Sequence, residues 1–150
     1  MKELAVVAHI RETFPLLQWI NDKTVVGGSS RRRPDILLDL GEFVIIIEID
    51  EGGSSHSVRR GTDARNDELR TDLAEKSCVV IHFNPDSYSY FNGSRHVKSC
   101  WSYDDTGKVY VPPDKEAEWR ERLFQLEERI RFHLANPFEA HFLEEYLFFA

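Results

Sequence analysis

The sequence predicts an α/β fold built on a mixed β-sheet. An apolar hairpin spans residues 35–50, a second buried strand reads "CVVIHF" at residues 78–83, and helical patterns precede, separate and follow them. The order helix, hairpin, helix, strand, helices is typical of helices packed on such a sheet. With 150 residues and 41% apolar side chains, the chain is long enough for one domain with a sizeable core.

Periodicity and turn residues place the elements of the first half. Residues 2–14 predict a helix with Leu4, Val7, Ala8 and Phe14 on one face, and Pro15 ends it. The segment after the hairpin, "GGSSHSVRRGT", has no periodicity and predicts a loop, and residues 63–75 predict an amphipathic helix. The turn "NPDSY" closes the strand at 78–83.

The second half predicts mainly helix. Weak strand signals lie within residues 97–111, and a long helix is expected from Asp114, its predicted N-cap, to Leu134. Trp119, Leu123, Leu126 and Ile130 form its apolar stripe. After Asn136-Pro137, residues 138–149 predict a final helix, so we expect a core at about 1–90 and a C-terminal helical extension at about 91–150.

Composition restricts the class of protein. The longest apolar run, residues 43–47, is far too short to span a membrane, and charges interrupt the apolar stretch of the N-terminus, unlike a signal peptide. The two cysteines provide no disulfide framework and no metal-ligand spacing. We therefore expect a cytoplasmic or nuclear protein that does not associate with membranes.

The charge distribution leaves two interpretations open. The net charge of −7 argues mildly against a protein that coats nucleic acid. However, basic residues cluster just before the hairpin, in the loop after it and at the start of the helix predicted at residues 63–75, where they could contact phosphates. The alternative is that they are ordinary solvated surface charges. The cluster consists of Arg31, Arg32, Arg33, Arg59, Arg60 and Arg65.

Turn chemistry brings acidic residues together at one end of the hairpin. "LGEF" at residues 40–43 predicts a two-residue turn with glycine at its first central position, which favours type II′. Pairing outward in register places Leu37 opposite Ile46 and Asp35 opposite Glu48. Because side chains alternate along a strand, Asp50 lies on the same face as Glu48.

Carboxylates this close repel one another, so at least one should bind a proton unless a cation compensates. Mg²⁺ or Mn²⁺ prefers carboxylate oxygens, and such a cation activates water and stabilises charge on a phosphate. The alternative is that these acids mark strand ends and face solvent. The hairpin therefore predicts a metal site at Asp35, Glu48 and Asp50.

The motif "RRPDILLDLGEFVIIIEID" resembles the PD-(D/E)XK, or restriction endonuclease-like, nuclease core. Together with "VVIHFNPDSY" and "SCWSYDDTGKV", it is similar to a small family of such proteins found in large DNA viruses and algae, and more distantly to very-short-patch-repair endonucleases. The similarity covers nearly the whole chain. It implies a virus-encoded endonuclease that cuts DNA with Mg²⁺ or Mn²⁺.

The resemblance also implies roles for individual residues. Asp35 and Glu48 would bind the metal, and Asp50 stands where better-known nucleases have lysine. Glu3 would be an additional acid from the first helix, and Arg65 belongs to a helix motif that follows the active-site loop.

The sequence departs from the family at three places. Ser54 occupies the position of the usual histidine, so His56 is the candidate general base in the Gly52-Gly53 loop; the alternative is an exposed loop histidine. Residues 57–63 lack the cysteines that members often carry. His82 replaces an arginine in the strand and is expected to be structural and near the site.

Two further functions remain compatible with the sequence. A nuclease fold that has lost catalysis could still bind DNA or another partner. Alternatively, the predicted C-terminal helices could form a homodimer surface.

Overall fold

The structure is a computed structural model and describes residues 2–21, 34–51, 76–137 and 141–149. It is a mixed α/β fold with a mixed sheet, as the sequence predicts. The described residues form α1 (Lys2–Thr13), β1 (Ile36–Asp39), β2 (Phe43–Ile49), β3 (Ser77–Phe83), β4 (Tyr88–Tyr90), β5 (Arg95–Val97), β6 (Ser102–Tyr103), β7 (Val109–Tyr110), a 3₁₀ turn (Pro113–Lys115), α2 (Glu116–Ala135) and β8 (Phe142–Leu147).

Four of the strands form the principal sheet in the order β1-β2-β3-β8. β1 and β2 are antiparallel, whereas β2, β3 and β8 run parallel. The hairpin therefore lies at one side of the sheet, and only its second strand is interior. Ile20 pairs with Leu37 on the outer side of β1 and covers part of that edge.

The predicted hairpin register is confirmed. Leu37 pairs with Ile46, and the Leu40 amide donates to the Phe43 carbonyl at 2.8 Å. Gly41 has a φ of 100°, which the first central position of a type II′ turn requires and which side chains with a Cβ rarely adopt. Turn geometry thus fixes which residues reach the far end of the hairpin.

Alternation along the strands divides the sheet into two apolar faces. One face buries the odd-numbered residues of β2 and β3 against α1 and α2, with Ile45, Ile47 and Ile81 fully buried. The other face buries Val44, Ile46, Cys78 and Val80 in a second cluster. Burial on both faces explains why β2 is an unbroken apolar run rather than an alternating pattern.

Helix α2 buries the whole predicted stripe, whereas the predicted face of α1 is only partly confirmed, by buried Val7 and half-buried Phe14. Trp119, Leu123, Leu126 and Ile130 are all buried. Helix α1 instead buries Val6, Val7 and Ile10 and leaves Leu4 and Ala8 exposed, because the sheet lies under that neighbouring face. Neither of these helices has the length and apolarity that a membrane crossing requires.

The predicted N-cap of the long helix is wrong. Asp114 lies within the 3₁₀ turn, and α2 begins at Glu116, with Lys115 at the cap position. Pro112 and Pro113 explain the difference, because fixed proline φ angles favour a tight turn before the helix starts.

The predicted final helix is also wrong, because β8 occupies Phe142–Leu147 and pairs in parallel with β3. The sheet thus includes a strand from the predicted C-terminal extension, and these residues do not provide a helical dimer surface. The open edge of β3 offers a backbone ladder, and tertiary pairing overrides the helical pattern. Glu145 also gains partners there, accepting from the Arg129 guanidinium and lying 2.6 Å from His133 Nε2.

Replacing Glu145 tests the attachment of β8 to α2. Burial opposes its charge, but bonds to Arg129 and His133 outweigh that effect and hold the pKa of Glu145 below its usual value. Its ionised form therefore stabilises the fold at neutral pH, and this contribution is lost as pH falls through the lowered pKa of Glu145. We expect Glu145→Gln to lower the free energy of unfolding by about 1–3 kcal/mol at pH 7 and by less at pH 3.

Urea unfolding at both pH values measures the difference. Glu128→Gln is the matched control, because Glu128 forms an exposed pair with Arg131 on the same helix and should change stability by less than about 0.5 kcal/mol. Equal effects of the two substitutions would contradict this role for Glu145.

Candidate active site

The carboxyl ends of the parallel strands bring polar side chains to one edge of the sheet. Glu48, His82 and Tyr146 are register partners across β2, β3 and β8, so the three lie in one row on the same face. Glu48 and His82 are buried among otherwise apolar strand residues. Polar groups buried in this way are expensive unless they are paired, so this row is a candidate functional site.

Asp35 lies at the same edge, where β1 begins. The last step of the hairpin ladder joins Ile36 to Ile47, and Asp35 and Glu48 are the next residue on each strand. The Ile49 amide donates to Asp35 Oδ2 at 2.7 Å, which ties the carboxylate to the end of β2. The structure thus brings Asp35 to the end of the strand that carries Glu48, as the turn register predicts.

The electrostatics of Asp35 are those of a crowded acidic site. Burial is the largest of several effects that raise the pKa of Asp35 to about 7. Glu3 adds to it through a hydrogen bond and charge repulsion, and Asp50 adds repulsion, whereas the hydrogen bond from the Ile49 amide lowers the pKa. Glu3, from the first turn of α1, is therefore close enough to interact directly. At neutral pH a large fraction of Asp35 is protonated in the absence of a cation.

Asp50 is held in place by two contacts with β3. Its amide donates to the Phe83 carbonyl at 2.9 Å, which extends the parallel pairing by one residue. Its Oδ2 lies 2.9 Å from His82 Nδ1, and both side chains are buried. The His82 ring in turn stacks on Tyr146, with centroids 4.5 Å apart and planes inclined by 12°. Asp50, His82 and Tyr146 thus form a packed chain along one face.

Lys2 interacts with two acids that follow the strands, Asp86 after β3 and Glu51 after β2. Its Nζ is 2.6 Å from Asp86 Oδ1 and 6.0 Å from the ring centroid of Tyr103. Burial opposes its charge, but Asp86 and, more weakly, Tyr103 and Glu51 outweigh that effect and raise the pKa of Lys2. A cation from the start of α1 therefore lies close to the acids at the ends of β2 and β3.

The described residues thus contain four of the predicted site residues, Asp35, Glu48, Asp50 and Glu3, at one edge of the sheet. The other candidates lie outside the described residues, as do the predicted helix at 63–75 and the loop before it. They are His56, Arg31, Arg32, Arg33, Arg59, Arg60 and Arg65.

Sequence reasoning missed Tyr146 and Lys2 and placed His82 only in general terms. Tyr146 lies in the segment that the sequence predicts as a helix, so no sequence pattern relates it to His82. Strand alternation contains a signal for His82, because it is the polar residue that ends the otherwise apolar face of β3 formed by Cys78 and Val80. Lys2 carries no signal in the sequence, because its position follows from the packing of α1 on the sheet.

The chemistry of these residues fits a hard divalent cation. Carboxylate oxygens are the ligands Mg²⁺ prefers, and a cation would relieve the repulsion that raises the pKa of Asp35. Within the described ranges, no three histidine, cysteine, aspartate or glutamate side chains are arranged as a complete metal-binding group. A full ligand set would therefore need a carboxylate here to rotate, or a ligand from outside these ranges.

Comparison with known proteins does not identify the chain, since no family model, curated protein or solved structure matches it.

Asp35→Asn tests whether the acidic site is strained without a cation. Asparagine can still accept from the Ile49 amide, but it carries no charge. The raised pKa of Asp35 means that its ionisation costs stability progressively as pH rises from about 4 to 7. A shift from 3.8 to about 7 corresponds to about 4 kcal/mol at pH 8, an upper bound. We expect Asp35→Asn to stabilise the protein in EDTA at pH 8 and to be nearly neutral at pH 4.

Asp39→Asn is the control with the opposite sign. Although burial opposes its charge, Lys76 and the Gly41 amide lower the pKa of Asp39. Its removal should therefore destabilise the protein at pH 8. Chemical denaturation at both pH values measures both variants, and a loss of stability in Asp35→Asn at pH 8 would refute strain at the site.

Proposed function

We propose that the chain is a metal-dependent endodeoxyribonuclease of the PD-(D/E)XK type, which hydrolyses phosphodiester bonds in DNA. The observation that carries this proposal is the position of Asp35, Glu48, Asp50 and Glu3 at one edge of the sheet, with the pKa of Asp35 raised to about 7 by burial and neighbouring acids. Acids held under this strain are typical of functional sites rather than of sites optimised for stability.

In this proposal, Asp35 and Glu48 hold Mg²⁺ or Mn²⁺, with help from Asp50. When bound, the cation activates water for attack on phosphorus and neutralises charge on the phosphate. The chain itself orients the carboxylates. The Ile49 amide fixes one oxygen of Asp35, and His82 fixes one oxygen of Asp50. Hydrogen bonds of this kind hold a metal-binding carboxylate in one orientation.

The remaining residues have auxiliary roles in the proposal. Glu3 contributes further negative charge next to Asp35. Lys2, which pairs with Asp86 and interacts with Glu51 directly after Asp50, would attract the phosphate of the substrate strand. His56 stays the proposed general base, and the arginines before and after the hairpin stay proposed phosphate contacts.

A second candidate function is a nuclease-like module that binds DNA or another partner without cutting it. The observation that favours it is the pairing of Asp50 with His82, which occupies one carboxylate oxygen at the position where better-known nucleases have lysine. The two candidates differ in whether a divalent cation binds at this edge of the sheet.

Cleavage of supercoiled plasmid DNA with Mg²⁺ or Mn²⁺, beside an EDTA reaction, tests the nuclease. We expect nicking only with the metal. Glu48→Gln keeps the size of the side chain but removes its charge, and we expect it to reduce the rate by at least about 100-fold because the metal affinity falls. Mn²⁺ should also raise the melting temperature of the unmodified protein, because a ligand that binds only the folded state stabilises it.

Glu42→Gln is the matched control, since Glu42 is an exposed glutamate at the opposite end of the hairpin. It should retain both nicking and the Mn²⁺-dependent rise in melting temperature. Absence of nicking together with a melting temperature that Mn²⁺ does not change would reject the nuclease and leave the binding module.

A further inference from the structure

A series of aromatic rings leads from the core at the end of β3 to the surface. Phe83, whose carbonyl accepts from the Asp50 amide, contacts Phe148 edge-on at 5.8 Å between centroids. Phe148 contacts Tyr88 at 5.8 Å, and Tyr88 contacts Tyr90 at 6.1 Å. Tyr90 finally contacts Phe91 at 4.8 Å. We call Tyr88, Tyr90 and Phe91, which lie on and just beyond β4, the aromatic ladder.

The base of the ladder is fixed to the body of the protein. The Arg122 guanidinium, which is buried, lies 5.3 Å from the ring centroid of Tyr88 and 5.1 Å from that of Phe148. Arg122 also donates to the carbonyls of Asp86 and Lys98, which flank the β4–β5 hairpin in the sequence. The hairpin therefore projects from a rigid attachment next to the ends of β2 and β3.

Exposure increases along the ladder toward its tip. Tyr88 is half-buried, whereas Tyr90 is 38% exposed and Phe91 is 72% exposed. Phe91 also has a φ of 53°, and Asn92 follows with 54°. A bulky residue in the left-handed region costs about 1–2 kcal/mol, and burial of the ring does not repay this cost. A phenylalanine held in this way at a hairpin tip indicates a binding role.

Basic side chains lie beside the exposed rings. Arg95 is the register partner of Tyr90, so the two side chains share one face of the hairpin. His96 and Lys98 follow and are exposed. Residues 88–98 carry two arginine or lysine side chains and no acid, in a chain whose net charge is −7. Aromatic rings beside cations match nucleic acid, in which flat bases alternate with phosphates.

We propose that the β4–β5 hairpin binds unpaired nucleotides, with Phe91 and Tyr90 stacking on bases and Arg95 contacting the adjacent phosphate. That the bound nucleotides belong to the DNA substrate rests on the proposed nuclease function, but the binding of nucleotides by the hairpin does not. Tyr88 begins β4 shortly after β3 ends at Phe83, and the three strand residues from Tyr88 to the tip span about 10 Å, so the ladder starts beyond the end of the strand that carries His82. The hairpin thus selects single-stranded or locally unpaired DNA near the site.

Duplex DNA fits this surface less well. In a duplex the faces of the bases are stacked on one another, so an exposed ring can reach a base face only after unstacking, which costs a few kcal/mol per step. Single strands present base faces directly, and stacking on aromatic side chains tolerates every base. The hairpin should therefore distinguish strand pairing rather than base sequence.

Fluorescence anisotropy with a labelled single-stranded oligonucleotide and the matching duplex tests the proposal, in EDTA and again in Ca²⁺. We expect tighter binding of the single strand. Phe91→Gly should weaken it by about tenfold, because glycine keeps the positive φ while removing the ring. Arg95→Gln should also weaken binding and reduce its salt dependence. Phe124→Ala removes a ring that is 48% exposed on α2, and it should leave binding unchanged.

Two outcomes would overturn the proposal. One is equal affinity of Phe91→Gly and the unmodified protein for the single strand. The other is the absence of single-strand binding in both buffers, which would leave a protein partner for the exposed tip. The plasmid assay distinguishes failure of this proposal from failure of the proposed nuclease. If the unmodified protein cleaves the plasmid but Phe91→Gly binds the single strand as tightly as the unmodified protein does, only the role of the hairpin is rejected. If Phe91→Gly loses single-strand binding but the unmodified protein does not cleave the plasmid, only the nuclease is rejected.

Discussion

The parallel pairing of β2 with β3 is the constraint on which the rest of the structure depends. Its register places Glu48 beside His82, and one further bond from the Asp50 amide to the Phe83 carbonyl carries the pairing past the end of β2. A shift of β2 by one residue relative to β3 would exchange the two faces of β2. The acids would then point into the apolar core beneath α1 and α2. Burial on both faces therefore fixes the core and the position of the carboxylates together.

The site itself works against the stability that the sheet provides. The sheet buries isoleucines and valines on both sides, yet it holds several acids near one another at its edge. A buried acid is ordinarily stabilised by a basic partner, and Arg129 and His133 are such partners for Glu145 on β8, at the other side of the sheet. Asp35 has an acid, Glu3, in the corresponding place. This difference between Asp35 and Glu145 within one sheet favours a functional role for Asp35 over a stabilising one.

The segment after β3 connects this edge to the surface. It leaves the sheet at Asn84, which is fully buried and donates to the carbonyls of Ser87 and Phe148. Arg122 from α2 then fixes the base of the β4–β5 hairpin. These bonds give a short, largely exposed hairpin a defined direction relative to the acids. The base of the aromatic ladder is therefore fixed beyond the end of β3, the strand that carries His82.

The sequence by itself determined the local features of this protein. Glycine and the flanking apolar residues specified the turn at Gly41 and hence the hairpin register, and helical spacing specified the buried stripe of α2. Only the tertiary structure decided the rest. The C-terminal segment has a pattern compatible with a helix, and it becomes β8 because β3 offers an open edge. The partners of Asp50 and Asp35, namely His82 and Glu3, come from distant parts of the chain, which local periodicity cannot bring together.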